Sequence, residues 1–225
     1  MSSDGVTGGI LPVLTDMATV LFPGMRWSLP LRENHHCSTI RSAVASHDGV
    51  LAVFTARAKK TASNRYNLYE VGTLARVTNL VRCSCCGEAT AQIVGLRRVR
   101  AISFADKDDF HLVGFTPIAD HSEDPETIGA LVSAVRDAAT TMNRLFPRCR
   151  YTTRANEYGR MVNAPEDLLG AIIDLLFYLP VAERQRLLEM DPLSARLEWA
   201  LHEFQKQLDR CITSPPKRVQ LTLLH

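Results

Sequence analysis

Six cysteines carry most of the reactive chemistry in this 225-residue sequence. Three of them, Cys83, Cys85 and Cys86, form a CxCC cluster, and Cys83 with Cys86 has the CxxC spacing that lets two thiolates share one metal ion. Zinc held there could complete a tetrahedron from His35, His36, Cys37 or Cys149, so a structural zinc at Cys83, Cys85 and Cys86 is the one cofactor the sequence suggests. A second CxxC is missing, and plain hairpin thiols are the alternative. Thioredoxin-type redox work would need the CxxC at a helix start, where the thiol pKa falls, whereas strand-like residues flank it here. His35-His36 taken alone reads as a solvent-facing helix start.

Other reaction chemistries find no footing. The sequence contains no GxxxxGK[ST] phosphate cradle, no GxGxxG and no GxSxG elbow, and His202-Glu203 lacks the second histidine of a zincin helix. The paired carboxylates Asp108-Asp109 and Glu166-Asp167 fall in a turn and in a helix first turn, where solvation and the helix dipole account for them. No catalytic residue is assigned and the chain is expected not to be an enzyme.

The elements that would position these residues change character along the chain. Residues 1–9 are small and polar and read as a flexible tail. Short strands are expected at Ile10 to Leu14 and Arg26 to Leu31, around a loop whose Pro23-Gly24 is turn chemistry. Apolar spacing then predicts a helix over Glu33 to Ser46 and a strand over Leu51 to Ala56. Residues 56–67 are polar and basic and read as a surface loop. Four strand segments follow, Leu68 to Arg82, Thr90 to Gly95, Arg97 to Ala105 and Asp109 to Thr116, spaced as hairpins of an antiparallel sheet or closed barrel.

Beyond Asp120 the period becomes helical. Asp124-Pro125-Glu126 supplies an N-cap, an N1 proline and a first-turn acid, followed by the stripe Ile128, Leu131, Val132, Val135 and Ala139. Further helices are expected at 165 to 178, 181 to 190 and 193 to 211, separated by Pro180 and Pro192. The expected organisation is a β subdomain over 10–118, a helical subdomain over 119–212 and a tail over 213–225.

Charge follows the same division. Residues 1–105 carry 12 Lys or Arg against 6 Asp or Glu, and residues 106–225 carry 14 against 18. The basic half admits an anionic partner, but its aromatic residues suit a core better than a base-stacking surface, which disfavours nucleic acid. The longest apolar run, Leu168 to Ala182, is broken by Asp174 and Pro180 and is too short to span a bilayer. With no secretory leader, a cytoplasmic protein without membrane contact is expected.

Four motifs in order carry a resemblance. Leu11-Pro12-Val13-Leu14 is followed by Leu21-Phe22-Pro23-Gly24-Met25 and Leu29-Pro30-Leu31. Tyr69-Glu70-Val71-Gly72-Thr73-Leu74-Ala75-Arg76-Val77 comes next, then Val94-Gly95-Leu96-Arg97-Arg98-Val99-Arg100, and last Leu179-Pro180-Val181-Ala182-Glu183-Arg184-Gln185-Arg186-Leu187-Leu188-Glu189 with Arg196-Leu197. Together these resemble the amino-terminal, substrate-binding domain of Lon proteases over about residues 10–210.

The resemblance implies an α+β fold, a PUA-like β pseudo-barrel followed by a small helical bundle. It further implies a non-catalytic module that recognises unfolded or specific client proteins, with a protease or a second copy of itself as further partners. A full Lon protease would add an ATPase with its phosphate loop and a Ser-Lys peptidase. Their absence here implies a free-standing domain, with a truncated protease as the variant reading. The CxCC cluster and Pro215-Pro216 depart from the family pattern. Within the motifs, Leu21, Phe22 and Met25 either plug the barrel end or form an exposed patch for client chains. Phe177 and Tyr178 are a second apolar candidate. Gly72 suggests a bulge or barrel corner, and Arg97, Arg98 and Arg100 suggest a solvent-side stripe able to meet phosphates.

Overall fold

The computed structural model describes residues 8–57, 67–82, 88–107, 109–119, 123–145 and 179–213. Its elements run β1 (Gly9–Asp16), β2 (Arg26–Pro30), α1 (Asn34–Ser46), β3 (Val50–Thr55), β4 (Val71–Arg82), β5 (Ala89–Lys107), β6 (Phe110–Pro117), α2 (Pro125–Leu145), α3 (Val181–Glu189) and α4 (Leu193–Thr213). Strands end at Pro117 and helices resume at Pro125, behind the Asp124 carboxylate, which accepts from the Thr127 amide at 2.9 Å. The helix expected at 165 to 178, with Phe177 and Tyr178, lies outside the described residues.

The six strands pair in the order β2-β5-β4-β3-β1-β6, and an additional β5–β6 pairing closes five of them into a ring with β2 laid on the outer flank of β5. One pairing departs from the antiparallel expectation: β1 and β3 run parallel, Val13 opposite Ala52. A parallel pair needs a crossover, and α1 supplies it.

A second departure concerns β5. The segments Thr90 to Gly95 and Arg97 to Ala105 are one continuous strand of 19 residues. Leu74 opposes Arg97 while Ala75 opposes Gly95, so Leu96 is the extra residue of a bulge. A bulge bends a strand without ending it, and here it lets β5 serve β2 and β4 with its first half and β6 with its second. β4 begins at Val71, not Leu68, which makes only an isolated bridge with Ala56. At Gly72 a Cβ would collide with the Val53 carbonyl oxygen and lie 2.7 Å from the Phe54 ring, so the close β3–β4 approach requires glycine there.

Two apolar clusters result. Leu11, Val13, Phe54, Leu74, Val99 and Phe115 fill the barrel. A larger one runs from Leu14, Leu51 and Ile93 through Leu21 and Phe22 to Leu187, Leu188 and Leu197, and so joins barrel to helices. Hydrophobic burial across this junction makes the halves one unit.

Candidate functional site

The loop that the sequence offered as a client-binding patch is buried. Phe22 is 0% exposed, and Leu21 and Met25 are buried with it. Backbone hydrogen bonds fix the loop to the β5 bulge: Gly24 N donates to Gly95 O at 2.9 Å and Gly95 N to Met25 O at 3.0 Å. A Cβ at residue 95 would collide with the Phe22 carbonyl oxygen, so Gly95 is what allows this docking. Thr73 Oγ1 donates to Leu21 O at 2.5 Å. Leu21, Phe22 and Met25 are therefore core residues, a correction to their placement as an exposed patch; the proline turn folds their side chains into the junction.

Arg98, in the middle of the basic stripe, is likewise spent on internal bonds. Arg98 is 2% exposed and donates through Nη1 to Leu188 O (3.2 Å) and Met190 O (3.0 Å) and through Nη2 to Asp191 Oδ1 (3.1 Å). It caps the carboxyl end of α3, where a cation complements the helix dipole. Arg100 pairs with Glu70 at 3.7 Å. From the helical side, Arg184 Nη2 donates to Ala18 O (2.8 Å) and Gln185 Nε2 to Val71 O (2.9 Å). Arg98, Arg184 and Gln185 thus dock α3 on the barrel, and Arg98 is withdrawn from the solvent-side stripe that the sequence suggested.

What the molecule does expose is the far half of β4. Its pairing with β3 ends at Val50 opposite Arg76, and the Val77 amide makes a last bond to Gly49 O at 2.8 Å. From there to Arg82 the strand pairs with β5 on one side, Leu80 opposite Ala91 and Val81 opposite Thr90. Among the described residues no strand takes the other side. Leu80 is 52% and Val81 46% exposed on this open edge, with Arg76 and Arg82 also exposed and no acid anywhere in β4. The sequence gives the strand and its apolar residues but not the point at which β3 stops; an apolar pair continuing past the partner's length is the signal.

Cys83, Cys85 and Cys86 lie outside the described residues. Cys37 is a free thiol with Sγ 3.6 Å from Leu31 O. His35 and His36 open α1 with ring centroids 4.1 Å apart, and His35 Nε2 lies 3.4 Å from Glu33 Oε2. Desolvation, then the neighbouring His36, hold the His35 imidazole below its ordinary pKa; Glu33 opposes them and His111 adds to them.

A closed β pseudo-barrel latched to a short helical region defines an α+β domain. Residues 10–206 match the family described as the ATP-dependent protease La (LON) substrate-binding domain, and the chain belongs to that family. It is 27% identical to the Lon protease of Anaeromyxobacter dehalogenans over 198 residues, 85% of this chain and 22% of that protein. Against Lon protease 2 of Myxococcus xanthus the identity is 26%, covering 85% and 23%. The chain thus spans under a quarter of the length of these relatives. Its fold resembles the N-terminal domain of the Mycobacterium avium complex Lon protease, with TM-score 0.66, 22% identity and coverage of 88% and 98%. The Lon N-terminal domain protein from Xanthomonas campestris gives TM-score 0.56 at 20% identity, covering 86% and 98%.

Proposed function

We propose that this chain is a non-catalytic recognition module for unfolded or specific client proteins, acting in the cytoplasm as a substrate-binding or adaptor component of proteolysis or protein quality control. The observation that carries the reading is the open edge of β4. An extended polypeptide can add to an edge strand by main-chain hydrogen bonds, largely independent of sequence, while side chains beside it set preference. Leu80 and Val81 favour apolar client segments, and Arg76 and Arg82 favour acidic residues at their ends. Family membership supports the substrate class. No helix among the described residues is long and apolar enough to cross a membrane.

The test is fluorescence anisotropy with a labelled, casein-derived unfolded peptide. Binding is expected to weaken about 5- to 30-fold in Leu80→Ser/Val81→Ser, in line with loss of interface anchors. A backbone N-methylated peptide should bind poorly for want of edge hydrogen bonds. Unchanged affinity in the double variant would remove the edge from the reading, and failure to bind any unfolded peptide would remove the reading itself. Binding of RNA that collapses steeply with salt would favour a phosphate-reading role instead.

A further inference from the structure

The amino-terminal end of α1 gathers three ligand-bearing side chains. One donor atom each from Glu33, His35 and His36 lies within 4.8 Å of the other two. Glu33 and His35 are exposed, so the cluster opens to solvent. Glu33 occupies the N-cap position of α1, where a carboxylate ordinarily accepts from the first-turn amides, yet it makes no side-chain cap bond. Its oxygen faces the His35 ring instead.

The backbone beneath this cluster is anchored. Arg32 Nη2 contacts both carboxylate oxygens of Glu88 at 3.0 Å, and Leu31 N donates to Ala89 O at 2.8 Å. The residues just before Glu33 are thereby tied to Glu88 and to Ala89, the first residue of β5. A ligand set held on the N-cap and first turn of a helix keeps its geometry better than one on a free loop.

We propose that Glu33, His35 and His36 form a binding site for a divalent transition metal, with zinc as the expected ion. Two imidazole nitrogens and one carboxylate oxygen are a borderline donor set that suits zinc and fits magnesium or calcium poorly. Three protein ligands leave a fourth position for water or an added ligand. The site is independent of the β4 edge and of the client-binding reading.

The experiment uses the full chain, stripped with a chelator, dialysed into metal-free buffer and titrated with zinc chloride against a chromophoric chelator. One equivalent is expected to bind, with loss of that equivalent in His35→Ala/His36→Ala and affinity at least about tenfold weaker in Glu33→Gln. Cobalt(II) should give a ligand-field absorption band in the wild-type chain that the double variant lacks. An unchanged far-UV spectrum and urea midpoint establish that the variants are folded, and His35→Gln/His36→Gln serves if the alanine pair is not. The proposal is overturned if the wild-type chain binds no zinc. It is equally overturned if the folded double-histidine variant binds zinc as before, or if Cys83→Ser/Cys86→Ser abolishes binding while the histidine variant retains it.

Discussion

Arg98 of β5 and Asp191, which follows α3, stand 3.1 Å apart, joining a strand of the barrel to the helical region across 93 residues of sequence. Their environments differ: the Arg98 side chain is 2% exposed and that of Asp191 is 35% exposed. The guanidinium also serves the Leu188 and Met190 carbonyls, so most of its work is done for the helix end.

Arg98→Ala is therefore expected to cost about 2–4 kcal/mol, since it strands buried carbonyls and an acid together. Asp191→Asn should cost under about 1 kcal/mol, because solvent screens the more exposed partner. Urea denaturation of both variants checks this, and equal losses would contradict the assignment of the helix carbonyls as the main partners.

Phe22→Ala should lower stability by about 3–5 kcal/mol, as for other buried phenylalanines. Peptide affinity of the folded fraction should stay unchanged. The denaturant midpoint and anisotropy measured on one preparation separate the two quantities, and a binding defect at intact stability would return the loop to the surface.

Strong acid should loosen the starts of α2 and α4. Hydrogen bonds from Ser194, then from the Leu193 amide, together with the charge of Arg196, hold the Glu123 carboxyl below its ordinary pKa against desolvation. Asp124 is held low by Thr127. A carboxyl depressed in the folded state stabilises above its unfolded pKa of about 4 and loses that contribution as pH falls through the folded value. Melting temperatures of wild type and Glu123→Gln should differ near neutrality and converge in strong acid; a constant difference would refute the linkage.

Purified chain is expected to turn over neither ATP nor casein, because the sequence has no GxxxxGK[ST] loop. Turnover surviving stringent purification would overturn the non-catalytic reading.

The spacing of strand segments made the antiparallel β4–β5 and β5–β6 pairings legible while wrongly cutting β5 in two, and Asp124-Pro125 marked the start of α2. What escaped was partnership at a distance. Arg98 reads as a solvent-side cation because its neighbours in sequence are Arg97 and Arg100; only the arrival of Leu188 and Met190, with |i−j| of 90 and 92, makes it a buried cap. Phe22 is ambiguous for a similar reason, since a proline turn can display or bury an aromatic ring. What decides it is Gly95, seventy-three positions on, whose missing Cβ admits the Phe22 carbonyl. The β1–β3 pairing is parallel because of α1, a helix the sequence did announce without stating its crossover role.

The ring of strands has a consequence for the order of events during synthesis. β1 pairs with β6, Gly9 opposite Phe115 and Val13 opposite His111, so the earliest-made strand of the barrel waits for the last one before its second edge is covered. Arg98 waits longer still for the carbonyls that receive it. Contacts of such span close slowly, and until they form the nascent chain presents uncovered strand edges. Until β6 arrives, the free edge of β1 needs the same covering that the far half of β4 lacks among the described residues of the finished fold.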